Sequence, residues 1–396
     1  MKVLMLSWEF PPRVIGGLAR HVAELSHGLS QEGVECHILT PKVDGAPNFE
    51  NVDGAYIYRI GTPFPGMKNF KAWTYSFNVE LIKNSVLLNS YTRGFDLIHA
   101  HDWLVAYSGR VLAKMFRIPL VSTIHATEHG RNMGLHNRMQ KEIHDTEFNL
   151  VSESDRVICC SNYMKQEILD LFQTTAERIA VIPNGVNPVN LSKRHLYGDL
   201  RVPGLESDDR IIFFIGRLVP EKGIDTLIRA FGRVADQIPD GKLVIGGRGP
   251  QEKDLRKLAE SLGLSDRVVF TGFISDRTRD RLLHWAEAAV FPSTYEPFGI
   301  VALEAMAAGT PVIVSNVGGL AEIIEDGYNG RKIEAGDVNG LAAALLNVLQ
   351  DPEMAARLRS QAYQDIEARY TWRRIAVQTA AVYQEALGEV RRREVS

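Results

Sequence analysis

The sequence predicts an α/β protein made of two similar modules, each with a parallel sheet covered by helices. Short apolar runs typical of buried strands alternate with amphipathic runs typical of helices. The predicted strands fall into two groups, at residues 3–6, 37–40, 97–100, 120–124, 157–160 and 180–182, and at residues 211–215, 243–246, 268–270, 289–291 and 312–314. Each group opens with a strand, a glycine-bearing turn and a helix, which indicates two modules rather than a short-period repeat.

Apolar residues recur at helical spacing after the first strand of each module and again near the C-terminus. They are Leu18, Val22, Leu25 and Leu29 in the first module, Ile224, Leu227, Ile228 and Phe231 in the second, and Ala376, Ala380, Tyr383 and Leu387 in the last helix. The polar, proline-containing stretch at residues 187–209 is typical of a linker. We therefore predict domains at residues 1–190 and 208–372, followed by a C-terminal helix at residues 373–396.

Charge balance and cysteine content exclude several classes of protein. The 45 Lys and Arg residues nearly match 48 Asp and Glu residues, so the net charge is −3 and we expect no nucleic-acid partner. Cys36, Cys159 and Cys160 lie in apolar runs and are expected to be buried free thiols. No apolar run reaches the ~18 residues of a membrane span, and the N-terminal run is too short for a signal peptide. We expect a cytoplasmic protein without an integral membrane segment.

Two carboxylates flank a turn that leads into a helix in the second module. Glu296 and Glu304 are the ends of the sequence Glu-Pro-Phe-Gly-Ile-Val-Ala-Leu-Glu, which follows a predicted buried strand. Backbone N–H groups at Phe298, Gly299 and Ile300 would begin the helix, and such unpaired groups attract anions at the positive end of the helix dipole. A diphosphate fits that role. Taken alone, the two acids could equally be ordinary residues beside a helix start.

Two glycine turns supply the other candidate phosphate ligands. Arg217 and Lys222 follow a strand of the second module and are close enough in sequence to reach one diphosphate. An Arg fork and a Lys point charge neutralise a leaving phosphate without a metal ion, and the chain has no Asp-x-Asp motif. Gly16 and Gly17 stand between the first strand and the first helix, where a backbone can approach a phosphate closely. Surface cations beside a turn are the competing interpretation of Arg217 and Lys222.

In this order, the Gly-Gly, Gly-Arg…Lys-Gly and Glu-x7-Glu motifs resemble those of retaining glycosyltransferases of the GT-B architecture, most closely family four. The resemblance covers nearly the whole chain. It implies two Rossmann-like domains that face a central cleft, with the C-terminal helix crossing back to the first domain. It also implies donor-binding roles for Arg217 and Lys222 at the diphosphate, Glu304 at the ribose, Glu296, Phe298, Gly299 and Ile300 at the sugar and phosphates, and Gly16 and Gly17 over the phosphates.

A segment of the first module resembles the His-x-His-Asp-Trp sequence of glucan synthases. It contains His101, Asp102 and Trp103, which the resemblance places on the acceptor side of the site. His125, after the strand at residues 120–124, matches the family histidine beside the donor sugar. Family-five glycogen and starch synthases usually carry a lysine where this chain has Val14, and this difference favours family four.

The resemblance implies transfer of a hexose, with glucose expected, from a UDP- or ADP-sugar to a carbohydrate acceptor such as an α-glucan. The favoured course is front-face substitution with retention, without a metal ion or a further cofactor. A small sugar, a sugar phosphate or a lipid is the alternative acceptor. Other classes also share parts of this pattern: a nucleotide-sugar epimerase would form no glycosidic bond, a glucan phosphorylase would need pyridoxal phosphate, and a sugar-binding protein would leave the motifs idle.

Overall fold

The computed structural model describes residues 1–61, 69–187, 202–206 and 208–395, with only the backbone at residues 391 and 393–395. Two compact units emerge. The first contains Met1–Gly185 together with the segment that begins at Trp372, and the second is Val186–Thr371. Most of the predicted linker, at residues 188–201 and 207, lies outside the described residues. Among the described helices, none is both long enough and apolar enough to cross a membrane.

The first unit is built on a sheet whose order is β3-β4-β2-β1-β5-β6-β7-β8. Its strands are β1 (Lys2–Leu6), β2 (Glu35–Pro41), β3 (Phe49–Val52), β4 (Ala55–Ile60), β5 (Leu97–His101), β6 (Leu120–Ile124), β7 (Arg156–Cys159) and β8 (Ile179–Val181). All neighbouring pairs are parallel except β3 and β4. The central strands are buried on both faces, as expected for a sheet with helices on either side.

Helices cover this sheet and several begin at side-chain caps. They are α1 (Gly17–Gln31), α2 (Phe70–Thr92), α3 (Ala106–Phe116), α4 (Glu128–Asn132), α5 (Arg138–Glu153), α6 (Asn162–Phe172) and, from the end of the chain, α14 (Trp372–Val395). Asn69, Asn137 and Ser161 each accept a first-turn N–H, which supplies one of the missing helix partners. The last helix packs on α1, where Gly28 leaves room for Trp372 and Ala376.

The second unit has a parallel sheet of order β11-β10-β9-β12-β13-β14. Its strands are β9 (Arg210–Ile215), β10 (Gly241–Gly246), β11 (Val268–Gly272), β12 (Ala288–Phe291), β13 (Val312–Ser315) and β14 (Arg331–Ile333). Its helices are α7 (Ile224–Val234), α8 (Glu252–Ser261), α9 (Asp276–Trp285), α10 (Ile300–Ala307), α11 (Gly318–Ile323), α12 (Val338–Gln350) and α13 (Pro352–Arg369). The predicted fold class, two parallel-sheet α/β modules, is confirmed.

Three strands were absent from the sequence prediction. β3 and β4 form an antiparallel hairpin at the sheet edge, and its turn holds Asp53 and Gly54 at φ of 51° and 90°. An Asp-Gly pair is a typical hairpin signal, but the exposed side chains of β3 make its apolar pattern weak. β14 has only three residues and pairs with β13 at an edge of the second sheet.

Candidate functional site

The second sheet changes direction between β9 and β12, and the predicted donor residues follow these two strands. β10 lies on one side of β9 and β13 lies on the far side of β12, so the loops after β9 and β12 diverge. In α/β sheets, ligands bind at such a switch point, at the carboxyl ends of the strands. There, Nζ of Lys222 lies 2.6 Å from Oε2 of Glu296, and the two side chains are only 20% and 12% exposed. The structure therefore brings these two predicted residues into direct contact.

Gly223 fixes the approach of these two loops. Its φ is +62°, and a Cβ there would collide with the carbonyl oxygen of Pro292. The N–H of Thr294 also donates to the carbonyl of Glu221 at 2.9 Å. Because two backbone contacts join the loops, the separation between Lys222 and Glu296 is set by the backbone rather than by side-chain choice.

We expect Gly223→Ala to destabilise the protein more than Gly263→Ala does. Both residues have positive φ, which costs roughly 1–2 kcal/mol for a side chain, but Gly263 has nothing within 4 Å of an added Cβ. The clash with Pro292 should add at least about 1 kcal/mol, as forced overpacking does. Urea denaturation of both variants measures the difference. Equal losses of stability would contradict the proposed backbone contact.

The remaining predicted cation and carboxylate of this unit each have an ionic neighbour. Arg217 is 55% exposed, and its Nη2 lies 3.5 Å from Oε1 of Glu221. Glu304, on α10, lies 3.2 Å from Nη1 of Arg279 on α9, and both side chains are about nine-tenths buried at 11% and 12% exposure. Sequence patterns did not select Arg279, because none links it to a carboxylate 25 residues later. It holds Glu304 in place through this ion pair.

The start of α10 is shaped by glycines. Gly299, with φ of +107°, precedes the helix, and a Cβ on Gly319 would collide with the backbone of Pro297 and Phe298. The Phe298 side chain is buried, so its predicted role is confined to its backbone N–H. The N–H groups of Ile300 and Val301 come before the first bond of α10, in which the N–H of Ala302 donates to the carbonyl of Gly299 at 2.9 Å, and anion binding at these groups stays a prediction.

A glycine-rich loop after β10 has a structural role that the sequence interpretation did not include. Cβ atoms on Gly247 and Gly249 would collide with the carbonyl oxygens of Gly216 and Leu218. These glycines therefore allow the loop after β10 to pack on the loop after β9.

In the first unit, Asp102 and His125 follow neighbouring strands and contact each other. Oδ1 of Asp102 accepts a 2.8 Å hydrogen bond from the backbone N–H of His125. Asp102 has φ of 62°, a conformation that costs energy in a residue with a side chain and is often found at functional sites. Burial raises the pKa of Asp102 to about 6, although Arg131, 3.7 Å away, opposes this.

A cluster of histidine rings surrounds this pair. His21 on α1, His101 at the end of β5 and His125 lie edge to face or stacked, with ring centroids 4.6 to 5.7 Å apart. Burial holds the pKa of His21 and of His101 well below the usual value and lowers the pKa of His125 to about 3. All three are therefore neutral at physiological pH. Among the described residues, these three form a group of metal-ligating side chains close enough to share an ion.

The Gly-Gly turn is partly occupied by a buried carboxylate. Oε2 of Glu9 accepts hydrogen bonds from the N–H groups of Ile15, at 2.7 Å, and Gly16, at 3.2 Å. The Gly16 N–H is thus already used by the protein, and binding of a phosphate by the N–H of Gly17, at the start of α1, stays a prediction. A Cβ on Gly16 would meet nothing within 4 Å, so the fold does not require glycine there and the space beside it is open.

Trp103 and Arg13 make aromatic contacts within the first unit. The ring of Trp103 is half-buried and meets the ring of Phe70 edge to face, with centroids 6.1 Å apart. This contact packs Trp103 against α2. The Arg13 guanidinium lies 5.6 Å from the ring centres of Trp8 and Trp73. Such cation–π contacts hold the Arg13 guanidinium against the two rings.

The buried carboxyl group of Glu147, near Asp102, leads to a prediction about how the stability of the fold depends on pH. Burial raises the pKa of Glu147 to about 8, although both oxygens accept from the N–H of Glu128. At Glu147 the folded protein therefore keeps a proton that the unfolded chain has released between about pH 5 and pH 8, and the contribution of this group to stability falls as pH rises through this window. Glu147→Gln should remove this loss, worth about 1.4 kcal/mol per pH unit. Urea midpoints across the window test it, with Glu260→Gln, at an exposed position on α8, as the control. If the urea midpoints of wild type and Glu147→Gln changed with pH in parallel, the prediction would be contradicted.

Comparison with known proteins agrees with this geometry. The Glycosyltransferase Family 4 model matches residues 15–190, and the Glycosyl transferases group 1 model matches residues 199–365. An uncharacterized glycosyltransferase of Methanocaldococcus jannaschii is 39% identical, over 98% of this chain and 99% of that protein. A glycogen synthase of Mycobacterium tuberculosis is 37% identical, over 97% of this chain and 94% of that protein. The structure of sucrose-phosphate synthase from Thermosynechococcus elongatus has a TM-score of 0.81 at 26% identity, covering 98% and 99% of the two chains. The chain therefore belongs to the family-four glycosyltransferases and has their GT-B architecture of two Rossmann-like domains.

Proposed function

We propose that this glycosyltransferase moves glucose from a UDP- or ADP-sugar to an α-glucan, with retention of configuration and without a metal ion or further cofactor. The observation that carries the proposal is the Lys222–Glu296 pair at the switch point of the second sheet. The choice of glucose and glucan draws on the glycogen synthase at 37% identity. The cytoplasmic location expected from the sequence is part of the same proposal.

Donor binding would rearrange the ion pair. A diphosphate carries more negative charge than Glu296 and would compete for Nζ of Lys222, with the half-exposed Arg217 as its second cation. Glu296 would then be available to accept hydrogen bonds from sugar hydroxyls. The α10 amides would face the phosphates, and Glu304, held by Arg279, would accept from the ribose hydroxyls.

The reaction would break the bond between the sugar C1 and the phosphate oxygen and form a bond between C1 and the acceptor oxygen on the same face. The acceptor proton passes to the departing phosphate oxygen, so no side chain has to act as nucleophile. Arg217 and Lys222 stabilise the charge that develops on the leaving diphosphate. In the first unit, we assign His125 to the donor sugar and His101, Asp102 and Trp103 to the acceptor side.

A sugar-phosphate acceptor is the second candidate. The solved structure with a TM-score of 0.81 is a sucrose-phosphate synthase, whose name describes a phosphorylated sugar product. The same donor site would serve both acceptors, because Lys222 and Glu296 would bind only the donor. A free phosphate monoester on the acceptor would need a further cation, for which the exposed face of Arg131 near Asp102 is the available group.

The test is release of nucleoside diphosphate from UDP-glucose, ADP-glucose and GDP-mannose, each with a malto-oligosaccharide, with fructose 6-phosphate, or without acceptor. The proposal predicts release from a glucose donor that a malto-oligosaccharide stimulates, with chain extension and no loss of rate in EDTA. Stimulation by fructose 6-phosphate alone would favour the second candidate. Donor conversion without a glycosidic bond would contradict transfer and favour an epimerase, and a requirement for metal would contradict the mechanism.

A further inference from the structure

Four partly exposed aromatic rings and one arginine form a row at one edge of the first sheet. Trp8 follows β1 and Trp103 follows β5, whereas Phe70 and Trp73 lie in the first turn of α2. Arg13 contacts the rings of Trp8 and Trp73. We call these five residues the aromatic row, and we infer that they bind glucose units of the acceptor glucan beyond the unit that reacts. The inference rests on the proposed function, which supplies the glucan.

The aromatic row lies at the switch point of the first sheet. β1 and β5 are neighbours, but the sheet continues from β1 to β2 and from β5 to β6, so the loops after β1 and β5 diverge. Ligands of α/β sheets bind at such a point, at the carboxyl ends of the strands. Trp103 directly follows Asp102, which we assign to the acceptor side. The aromatic row therefore leads away from the position expected for the reacting end of the acceptor.

Successive members of the aromatic row are separated by a distance comparable to the width of a sugar ring. The rings of Trp103 and Phe70 meet edge to face with centroids 6.1 Å apart, and those of Phe70 and Trp73 are nearly parallel with centroids 6.0 Å apart. The Arg13 guanidinium continues the row, 5.6 Å from the ring centres of Trp73 and Trp8. Because the row is several rings long, it suits an oligosaccharide better than a single sugar.

The residue types of the aromatic row match the chemistry of a glucan. A pyranose ring has apolar C–H faces, which pack on aromatic rings, and a rim of hydroxyl groups, which form hydrogen bonds. Nε of Arg13 is buried and has no hydrogen-bond partner among the residues that the structure describes. A buried donor without a partner is costly, so it points to a ligand or a water. Four uncharged rings with one cation favour a neutral glucan over a phosphorylated sugar.

The test measures the binding of malto-oligosaccharides to the full-length chain by calorimetry. Wild type should bind maltoheptaose more tightly than maltose, because only the longer chain reaches the aromatic row. Trp73→Ala and Phe70→Ala should weaken maltoheptaose binding about 5- to 10-fold and leave maltose binding unchanged. Trp73→Phe keeps a ring and should retain most of the affinity. The matched control is Trp285→Ala, which removes a 40% exposed tryptophan of α9 in the second unit and should bind both sugars as wild type does.

Steady-state kinetics separate this inference from the proposed function. In Trp73→Ala and Phe70→Ala, the KM for maltoheptaose should rise by the same factor, with the turnover number and the donor KM unchanged, and circular dichroism checks the fold. The inference is overturned if both folded variants keep the wild-type affinity and KM for maltoheptaose, or if wild type binds maltoheptaose no more tightly than maltose. Maltoheptaose binding that depends on the aromatic row, without transfer of glucose to it, would support the inference and contradict the proposed function.

Discussion

Replacement of Lys222 by alanine is expected to lower turnover at least ~100-fold, the usual loss when a charge ligand of the transition state is removed. The Lys222 ammonium is held 2.6 Å from Glu296, and its four-fifths burial strengthens its field on a bound diphosphate. The variant removes that charge and leaves Glu296 without its partner. Steady-state assays of nucleoside diphosphate release, with circular dichroism to check the fold, measure the effect.

Three further variants show whether the loss comes from charge. Lys222→Arg keeps the cation and should recover part of the activity. Arg217→Ala should also lose at least ~100-fold, because Arg217 is the second proposed diphosphate ligand. Lys253→Ala, at an exposed position on α8, should behave like wild type. Near-normal turnover in both Lys222→Ala and Arg217→Ala would remove the diphosphate site from this location.

His125→Ala is expected to reduce the turnover number at least ~100-fold while changing donor affinity by only a few-fold. His125 is fixed through its backbone by Asp102, and burial lowers its ring pKa to about 3, so in the proposed site the ring would be a neutral hydrogen-bonding group beside the sugar. The diphosphate ligands lie in the second unit and are unchanged. Calorimetric binding of UDP or ADP and initial rates separate affinity from turnover.

The control for this prediction is His136→Ala, which removes an exposed histidine a few residues later. It should have the turnover of wild type. An unaltered rate in His125→Ala would exclude this residue from the site, whereas a large loss of nucleotide affinity would indicate a structural role instead.

The parts of the fold that could be predicted depend on local pattern. The apolar strands and the helices after the glycine turns are encoded by short-range periodicity, so the α/β class and the two parallel sheets followed from the sequence. The Gly-Arg…Lys-Gly turn is local too, and the structure places Lys222 beside Glu296 because β9 and β12 are neighbours. Which predicted residues act on substrate stays a prediction.

Other parts depend on contacts between residues that are distant in sequence. His21 meets Asn184 across 163 positions, and Arg279 meets Glu304 from another helix, so no local pattern identifies either pair. The Gly16 amide looked available for a phosphate, but the sequence does not show that Glu9 folds back onto it. Gly247 packs against the backbone of Gly216 from another loop, a contact that no local pattern shows. Such roles follow from tertiary packing.

The most direct test of the account is the configuration of the newly formed bond. The purified enzyme is incubated with UDP-α-glucose or ADP-α-glucose and a malto-oligosaccharide, and proton NMR follows the anomeric signals in real time. Retaining transfer to a glucan predicts that a new α-glycosidic signal grows in step with release of the nucleoside diphosphate. A β-linked product would contradict retention. Release of free glucose, or a donor that stays unaltered in the presence of the malto-oligosaccharide, would contradict glucan synthesis itself.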